Sequence, residues 1–301
     1  MEIIGKTRFD FIGKKKISFI ISGIISIIGI IGIIQIGLGN ANMGIDFTGG
    51  TALQLKFQKH MAMEDARKAL DKYGVDAALQ DISESNQLLI KVGKTNVALG
   101  KISDTVQGVF KKEFPGNPFT VESSTEIGPS IGEKLRKDTL VAVAIALFGI
   151  IIYIAWRFDF KFGIAAAIAT MHDVLAIFAI FFVLGKEVDL LLITAVLTIA
   201  GYSLTDTVVV FDRIRENLHK NMKESLEKIF NQSINEVLSR TIITSLTTFL
   251  AASSLFLFGG EVIHNFAFAL AFGVVIGTYS SVFVASPLVV LWERRAKSVK
   301  V

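Results

Sequence analysis

Asp206 lies inside an apolar stretch, Leu190–Phe211, that is long enough to cross a bilayer. An ionised carboxylate in hydrocarbon costs several kcal/mol, so such residues face a protein interior or a water-filled cavity. A cationic partner, Arg240, stands at the start of the next apolar stretch, and Asp173, beside His172, stands near the middle of a third. Tyr202, Asp206 and Arg213 share one helical face at spacings of four and seven; Arg240, Thr244, Thr247 and Thr248 share another. Hydroxyls at that spacing suit a file of water. The chemistry these residues suggest is reversible protonation. Burial favours a neutral carboxyl, and a nearby guanidinium favours the ionised form. Moving Arg240 away would load the carboxyl with a proton, and its return would discharge it. Arginine keeps its charge, so Asp206 is the group that titrates. The plainer reading is a fixed ion pair locking two helices. For His172-Asp173 two readings stay open: a relay member, or a hydrogen-bonded packing pair.

Groups of this kind need a membrane-spanning scaffold. The composition supplies one: 51% of the residues are hydrophobic and 19% charged, and the mean hydropathy is +0.56. Six apolar stretches stand out, Ile17–Leu38, Thr139–Trp156, Phe162–Leu184, Leu190–Phe211, Thr241–Phe258 and Phe266–Trp292. Each is near or above the ~18 residues a spanning helix needs, and backbone groups in lipid must bond internally, as a helix allows. Pro287 is expected to kink or end the sixth span near the water interface. The segment Leu226–Leu238 is amphipathic, suited to lying on the membrane surface or packing under the bundle. The small residues Gly201, Ala251, Ala252, Gly273 and Gly277 suggest close helix packing.

Basic residues cluster before the first span (Lys6, Arg8, Lys14, Lys15, Lys16), at the second turn (Arg157, Lys161), after the fourth span (Arg213, Arg215, Lys220, Lys223, Lys228) and at the C-terminus (Arg294, Arg295, Lys297, Lys300). On a six-span path all four clusters fall on one side, which places both termini in the cytoplasm. If Asp206 belongs to a span ending at Phe211, it lies roughly 6–9 Å from that end at 1.5 Å per residue. The first span reads as a retained signal anchor. The net charge of +4 reflects topology rather than nucleic-acid binding. The chain has no cysteine, and its four histidines, His60, His172, His219 and His264, fall in different segments. Neither suits metal ligation, and no cofactor is implied.

The one large polar block, residues 39–135, is expected outside the cytoplasm. Its pattern reads as a strand (Thr51–Gln58), a helix (Met63–Tyr73), two strands (Asp76–Ile82, Leu88–Val92), a helix (Val97–Phe114) and a short strand (Phe119–Ser123). That order, β-α-β-β-α-β, is the ferredoxin-like arrangement. The expected organisation is a cytoplasmic N-terminus (1–16), span 17–38, this α+β domain, a five-helix bundle (136–292) with a cytoplasmic amphipathic segment (213–239), and a cytoplasmic tail (293–301).

Several segments carry a resemblance. Gly44-Ile45-Asp46-Phe47-Thr48-Gly49-Gly50-Thr51 follows the first span. Gly128-Pro129-Ser130-Ile131-Gly132 precedes the second. Gly201–Asn217 and Ser239–Thr248 frame Asp206 and Arg240. In this order they resemble the signatures of the SecF family, the smaller membrane subunits of the bacterial SecDF protein-export complex. One departure is Thr205, where the family often has asparagine. Gly44, Asp46, Gly49, Gly50, Asp212 and Arg213 then read as structural signature positions. Gly49-Gly50 is not a phosphate loop, since no Lys-Ser/Thr follows it into a helix.

The resemblance implies an RND-type half bundle in the bacterial inner membrane, coupling protons, with sodium as the alternative ion, to a late step of export. It also implies a SecD partner, together with the SecYEG translocon, YidC or YajC, and the exported polypeptide. Two other readings were weighed. An intramembrane aspartyl protease would want Tyr-Asp and Gly-x-Gly-Asp motifs, which do not occur here. An RND-type exporter of lipid or small molecules would carry about twice as many helices in one chain.

Overall fold

The computed structural model describes residues 7–82, 86–93, 101–220 and 223–298. In chain order the elements are α1 (Lys15–Gly37), α2 (Ile45–Thr48), β1 (Gly50–Phe57), α3 (Met63–Lys72), β2 (Ala77–Ile82), β3 (Gln87–Val92), α4 (Lys101–Glu113) and β4 (Phe119–Ile127). They continue as α5 (Pro129–Arg157), α6 (Phe160–Val183), α7 (Leu190–Lys220), α8 (Leu226–Phe258), α9 (Glu261–Ser280) and α10 (Ser286–Ser298). Two compact units result, Met43–Val141, and Met1–Asn42 with Ala142–Val301.

In the smaller unit all strand pairs are antiparallel, in the order β2-β3-β1-β4. Alternation along β1 and β3 sends Leu53, Leu55, Phe57, Leu88, Ile90 and Val92 to one face. There they meet Ala66, Ala69 and Leu70 of α3 and Val106, Val109 and Phe110 of α4. The ferredoxin-like order expected from the sequence is the order observed. The last strand runs on to Ile127, four residues beyond the expected end, because β1 pairs with it through Gly50↔Ile127. The expected turn at residues 83–85 and the start of the second helix at 97–100 lie outside the described residues.

Two signature segments meet in this unit. The four-residue α2 ends at Gly49, whose φ of +74° is a left-handed conformation, and Gly50 follows at +146°. A Cβ on Gly49 would stand 2.9 Å from the Pro129 Cα, and one on Gly132 2.9 Å from the Gly49 nitrogen. Backbone here lies directly against backbone, so these glycines are required by contact as well as by conformation.

In the larger unit the apolar stretches are helical, the form that satisfies backbone groups within the segment. Six helices of the described residues are long and apolar enough to cross a membrane. The core on one side of the bundle packs Phe158, Phe162 and Phe211 edge to face, at 5.7 and 5.0 Å, with Ile214, Phe230, Ile234 and Val289. The N-terminal segment is strapped to α8: Asn231 Oδ1 accepts from the Phe11 and Ile12 amides at 2.9 and 3.0 Å, and Asn235 bonds both ways with Phe9. The Asp10 carboxyl is held below its ordinary pKa, first by the Gly13 amide and then by Asn231.

Of the two places offered for the segment 213–239, packing in the bundle is the one observed: α7 continues to Lys220 and α8 begins at Leu226. Phe211, Ile214 and Asn217 continue α7's buried stripe, and Phe230 and Ile234 pack into the bundle core. The distance of Asp206 from Phe211 therefore does not measure its distance from a helix end. Pro287 does not end the last span. A π-helical turn, Ser281–Ala285, precedes α10, with Ser286 Oγ donating to the Ser281 carbonyl at 3.0 Å. A wider turn of this kind relieves the clash of a proline with the preceding carbonyls.

Candidate functional site

Asp206 stands near the middle of the 31-residue α7 and is 5% exposed. Its hydrogen-bonding neighbour is Ser245 of α8, whose Oγ lies 3.4 Å from Oδ2. Ser245 also lies 2.6 Å from Thr278 Oγ1, and Thr278 donates its own proton to the Val274 carbonyl at 2.9 Å. Ser245 has one proton for two neighbours, and its shorter contact is to Thr278, so its donation to Asp206 is long. An ionised Asp206 is thus offered no short hydrogen bond, whereas a protonated carboxyl can donate to Ser245.

Arg240 does not meet Asp206. It is exposed and forms no ion pair among the described residues. It stands one and a half turns before Ser245 on α8, so its charge acts on the carboxyl from a distance. The threonines expected to line a water file are turned back on their own helix. Thr244 donates to the Arg240 carbonyl at 3.0 Å, and Thr247 and Thr248 donate to the Thr244 carbonyl at 2.9 and 3.0 Å. Their protons are used, leaving lone pairs to a neighbour. Tyr202 keeps its hydroxyl buried without a partner, as does Thr241 next to Arg240.

Asp173 has the opposite surroundings. It is fully buried, and its Oδ1 meets His172 Nδ1 at 3.0 Å. Its Oδ2 accepts from Ser203 of α7 and, at 2.7 Å, from Ser280 of α9. Both carboxyl oxygens therefore have hydrogen-bond partners, which favour a charge at a site where full burial disfavours one. His172 is 4% exposed, and its Nε2 has no partner. A third hydroxyl pair, Thr207 with Ser281 at 2.9 Å, bridges α7 to the π-helical turn.

These hydroxyls were not picked out from the sequence as site residues, although Ser203 and Ser245 fall inside the signature segments. The available signal was spacing: Ser203, Asp206 and Thr207 share a face of α7. Close packing brings the hydroxyls together. A Cβ on Gly277 would stand 2.9 Å from that of Ser203, and one on Gly273 2.6 Å from Ile199. Those two glycines and buried Ala252 are packing sites, as expected. Gly201 and Ala251 pack against nothing within this chain: both are exposed, and nothing lies within 4 Å of a Cβ on Gly201.

The remaining signature residues join elements. Asp212 pairs with Arg157 at 2.5 Å, linking α7 to the end of α5, and Arg213 pairs with Glu236 of α8 at 2.6 Å. Asn217 donates to Ser233 and Glu236 at 3.0 and 2.7 Å. Arg213 thus serves the junction of α7 with α8 rather than the face of Asp206. Gly44 caps α2 and Asp46 lies in its first turn, in the smaller unit. Among the described residues no group of three His, Asp or Glu side chains could hold a metal ion.

Comparison with known proteins agrees with this arrangement. Residues 107–295 match the family model of the protein export membrane protein SecD/SecF, C-terminal, and residues 42–59 match the SecD/SecF GG motif. The chain is 52% identical to the protein translocase subunit SecF of Thermodesulfovibrio yellowstonii, over 97% of both chains. It is 37% identical to that of Rickettsia typhi, over 98% of this chain and 96% of the relative. The crystal structure of SecDF, a translocon-associated membrane protein from Thermus thermophilus, superposes with a TM-score of 0.85 at 35% identity. That match covers 98% of this chain and 40% of the SecDF chain, so the present chain spans less than half of that protein. A SecDF structure in a super-membrane-facing form gives 0.71 at 34% identity, over all of this chain and 40% of that one. Matched from the glycine pair through the helices that carry Asp206 and Asp173, the chain belongs to the SecD/SecF family of protein-export membrane proteins.

Proposed function

We propose that this chain is a SecF-type subunit of a protein translocase, using the proton gradient to assist export at a late step outside the cytoplasm. The observation that carries the reading is Asp206: a buried carboxyl, mid-helix in a span-length segment, that is given no short hydrogen bond in its ionised form. A group so placed has reason to take up a proton and, when Arg240 approaches, to release it. Sodium is the alternative ion. The bland reading, a fixed Asp206–Arg240 ion pair, gains no support, since the two residues are unpaired in this conformation.

The partner is a SecD-type chain of related build. The SecDF chain is longer than this one by more than half its length, and α5 and α8 leave most of their apolar surface uncovered. In this reading both termini are cytoplasmic, and the ferredoxin-like unit faces the exported polypeptide on the other side of the plasma membrane. SecYEG and YidC or YajC would be neighbours of the complex.

The test is reconstitution with translocon and SecD-type partner in proteoliposomes. An imposed proton gradient should accelerate release of the exported protein, and omission of either subunit should remove that acceleration. Gradient-dependent release by this chain without the partner would contradict the proposal.

A further inference from the structure

The deepest polar cluster in the bundle is not the one around Asp206. Asp173 is fully buried and His172 nearly so, and the pair is met by side chains of α7 and α9. With Ser203 and Ser280 on Oδ2 and the imidazole on Oδ1, each oxygen of the carboxylate accepts from a donor. The Nδ1 proton is therefore committed to Asp173, and the neutral ring presents a bare lone pair at Nε2, which is buried without a partner. In that state the cluster carries one uncompensated negative charge. Burying a lone charge costs more than leaving one N–H unbonded, so the cluster has room for one proton at a defined atom.

We propose that His172 and Asp173 form a second proton-binding site, loaded at His172 Nε2. The step is simple: an O–H bond of a hydronium ion breaks, an N–H bond forms at Nε2, and the cluster becomes a neutral imidazolium–carboxylate pair. No other reactant is needed.

Among the described residues, the groups that other elements bring to the pair are chiefly hydroxyls. From α1 come only hydroxyls, Ser18 and Ser22, both tied to Tyr279 of α9: its OH donates to the Ser18 carbonyl at 3.1 Å and lies 3.1 Å from Ser22 Oγ. The Tyr279 ring stands 6.1 Å from that of His172, centre to centre. From α7 comes Ser203, with Asp206 one helical turn further on. From α9 come Ser280 and Tyr279; from the π-helical turn, Ser281. On α10, Glu293 is paired with Lys161 at 2.7 Å. Ser203, which bonds Asp173 of α6, and Asp206 therefore lie one turn apart on α7.

This proposal goes beyond the role given to Asp206 and is read out independently of export. The full chain, with 15N-labelled histidine, is reconstituted with its partner in liposomes. The His172 signals are identified by their loss in His172→Gln, or, if that variant does not fold, in a chain where His60, His219 and His264 are replaced instead. The expected result is a passage of the His172 nitrogens from the neutral to the doubly protonated position as the pH is lowered. Asp173→Asn should remove or displace that passage. A His172 ring that stays in one protonation state throughout, or one that responds to sodium at constant pH, would overturn the assignment. Loss of export in Asp206→Asn, or its retention, leaves this outcome unchanged.

Discussion

Two buried carboxylates on neighbouring helices differ in their hydrogen bonds: Asp173 has three donors, Asp206 one distant hydroxyl. The exposed guanidinium of Arg240 is the group able to change that balance by moving. Arg240→Lys keeps the charge and loses the planar fork that suits a carboxylate, so gradient-dependent release should fall several-fold but persist. Arg240→Met should reduce release to the rate seen without a gradient, at unchanged protein level. Wild-type release by the Met variant would remove Arg240 from the account. Asp206, Arg240 and Asp173 were legible in the sequence because a charge inside an apolar run stands out by its cost. Ser203, Ser245, Thr278 and Ser280 were not, because hydroxyls in apolar helices commonly bond their own backbone, as Thr244, Thr247 and Thr248 do here. Only the packing tells which of them face a carboxylate.

Among the elements, the β-α-β-β-α-β unit was readable because alternation and helical spacing persist over six or more residues in each piece. The four-residue α2 is too short to show a period. The end of α7 was misread because Asp212–Lys220 is polar in composition yet helical in pattern, with Glu216 placed to pair with both Arg213 and Lys220. The glycine pair was read as a turn beside a strand. Its contact with the start of α5, which gives both signatures their reason, needed the fold. Gly49→Ala tests that contact. A non-glycine residue in the left-handed region costs about 1–2 kcal/mol, and the Pro129 Cα stands 2.9 Å from the new methyl. In a domain of this size the thermal midpoint should drop by about 4–8 °C for each kcal/mol. Gly116→Ala, where nothing lies within 4 Å, should melt as the wild type does. Equal melting of the two variants would show the glycine contact to be dispensable.

At the scale of the whole molecule the helices are unequally covered. In the most apolar stretch of α6, 61% of residues are buried, against 6% in α5 and 17% in α8. Trp156 near the end of α5 and Phe258 at the end of α8 are 84% and 83% exposed. Lipid or a second chain must cover these faces. Sequence could not distinguish covered from uncovered helices, since a helix that is apolar all round has no preferred face. The uncovered faces and the share of SecDF that this chain represents both direct attention to the complex with a SecD-type partner. There the central claim, that Asp206 carries the proton that drives export, meets its most direct test. Asp206→Asn keeps the shape of the side chain and its contact with Ser245 while removing the titration. In proteoliposomes holding the translocon and both subunits, the account predicts that this variant assembles normally and that an imposed proton gradient no longer accelerates release of the exported protein. Acceleration equal to that of the wild type would contradict it.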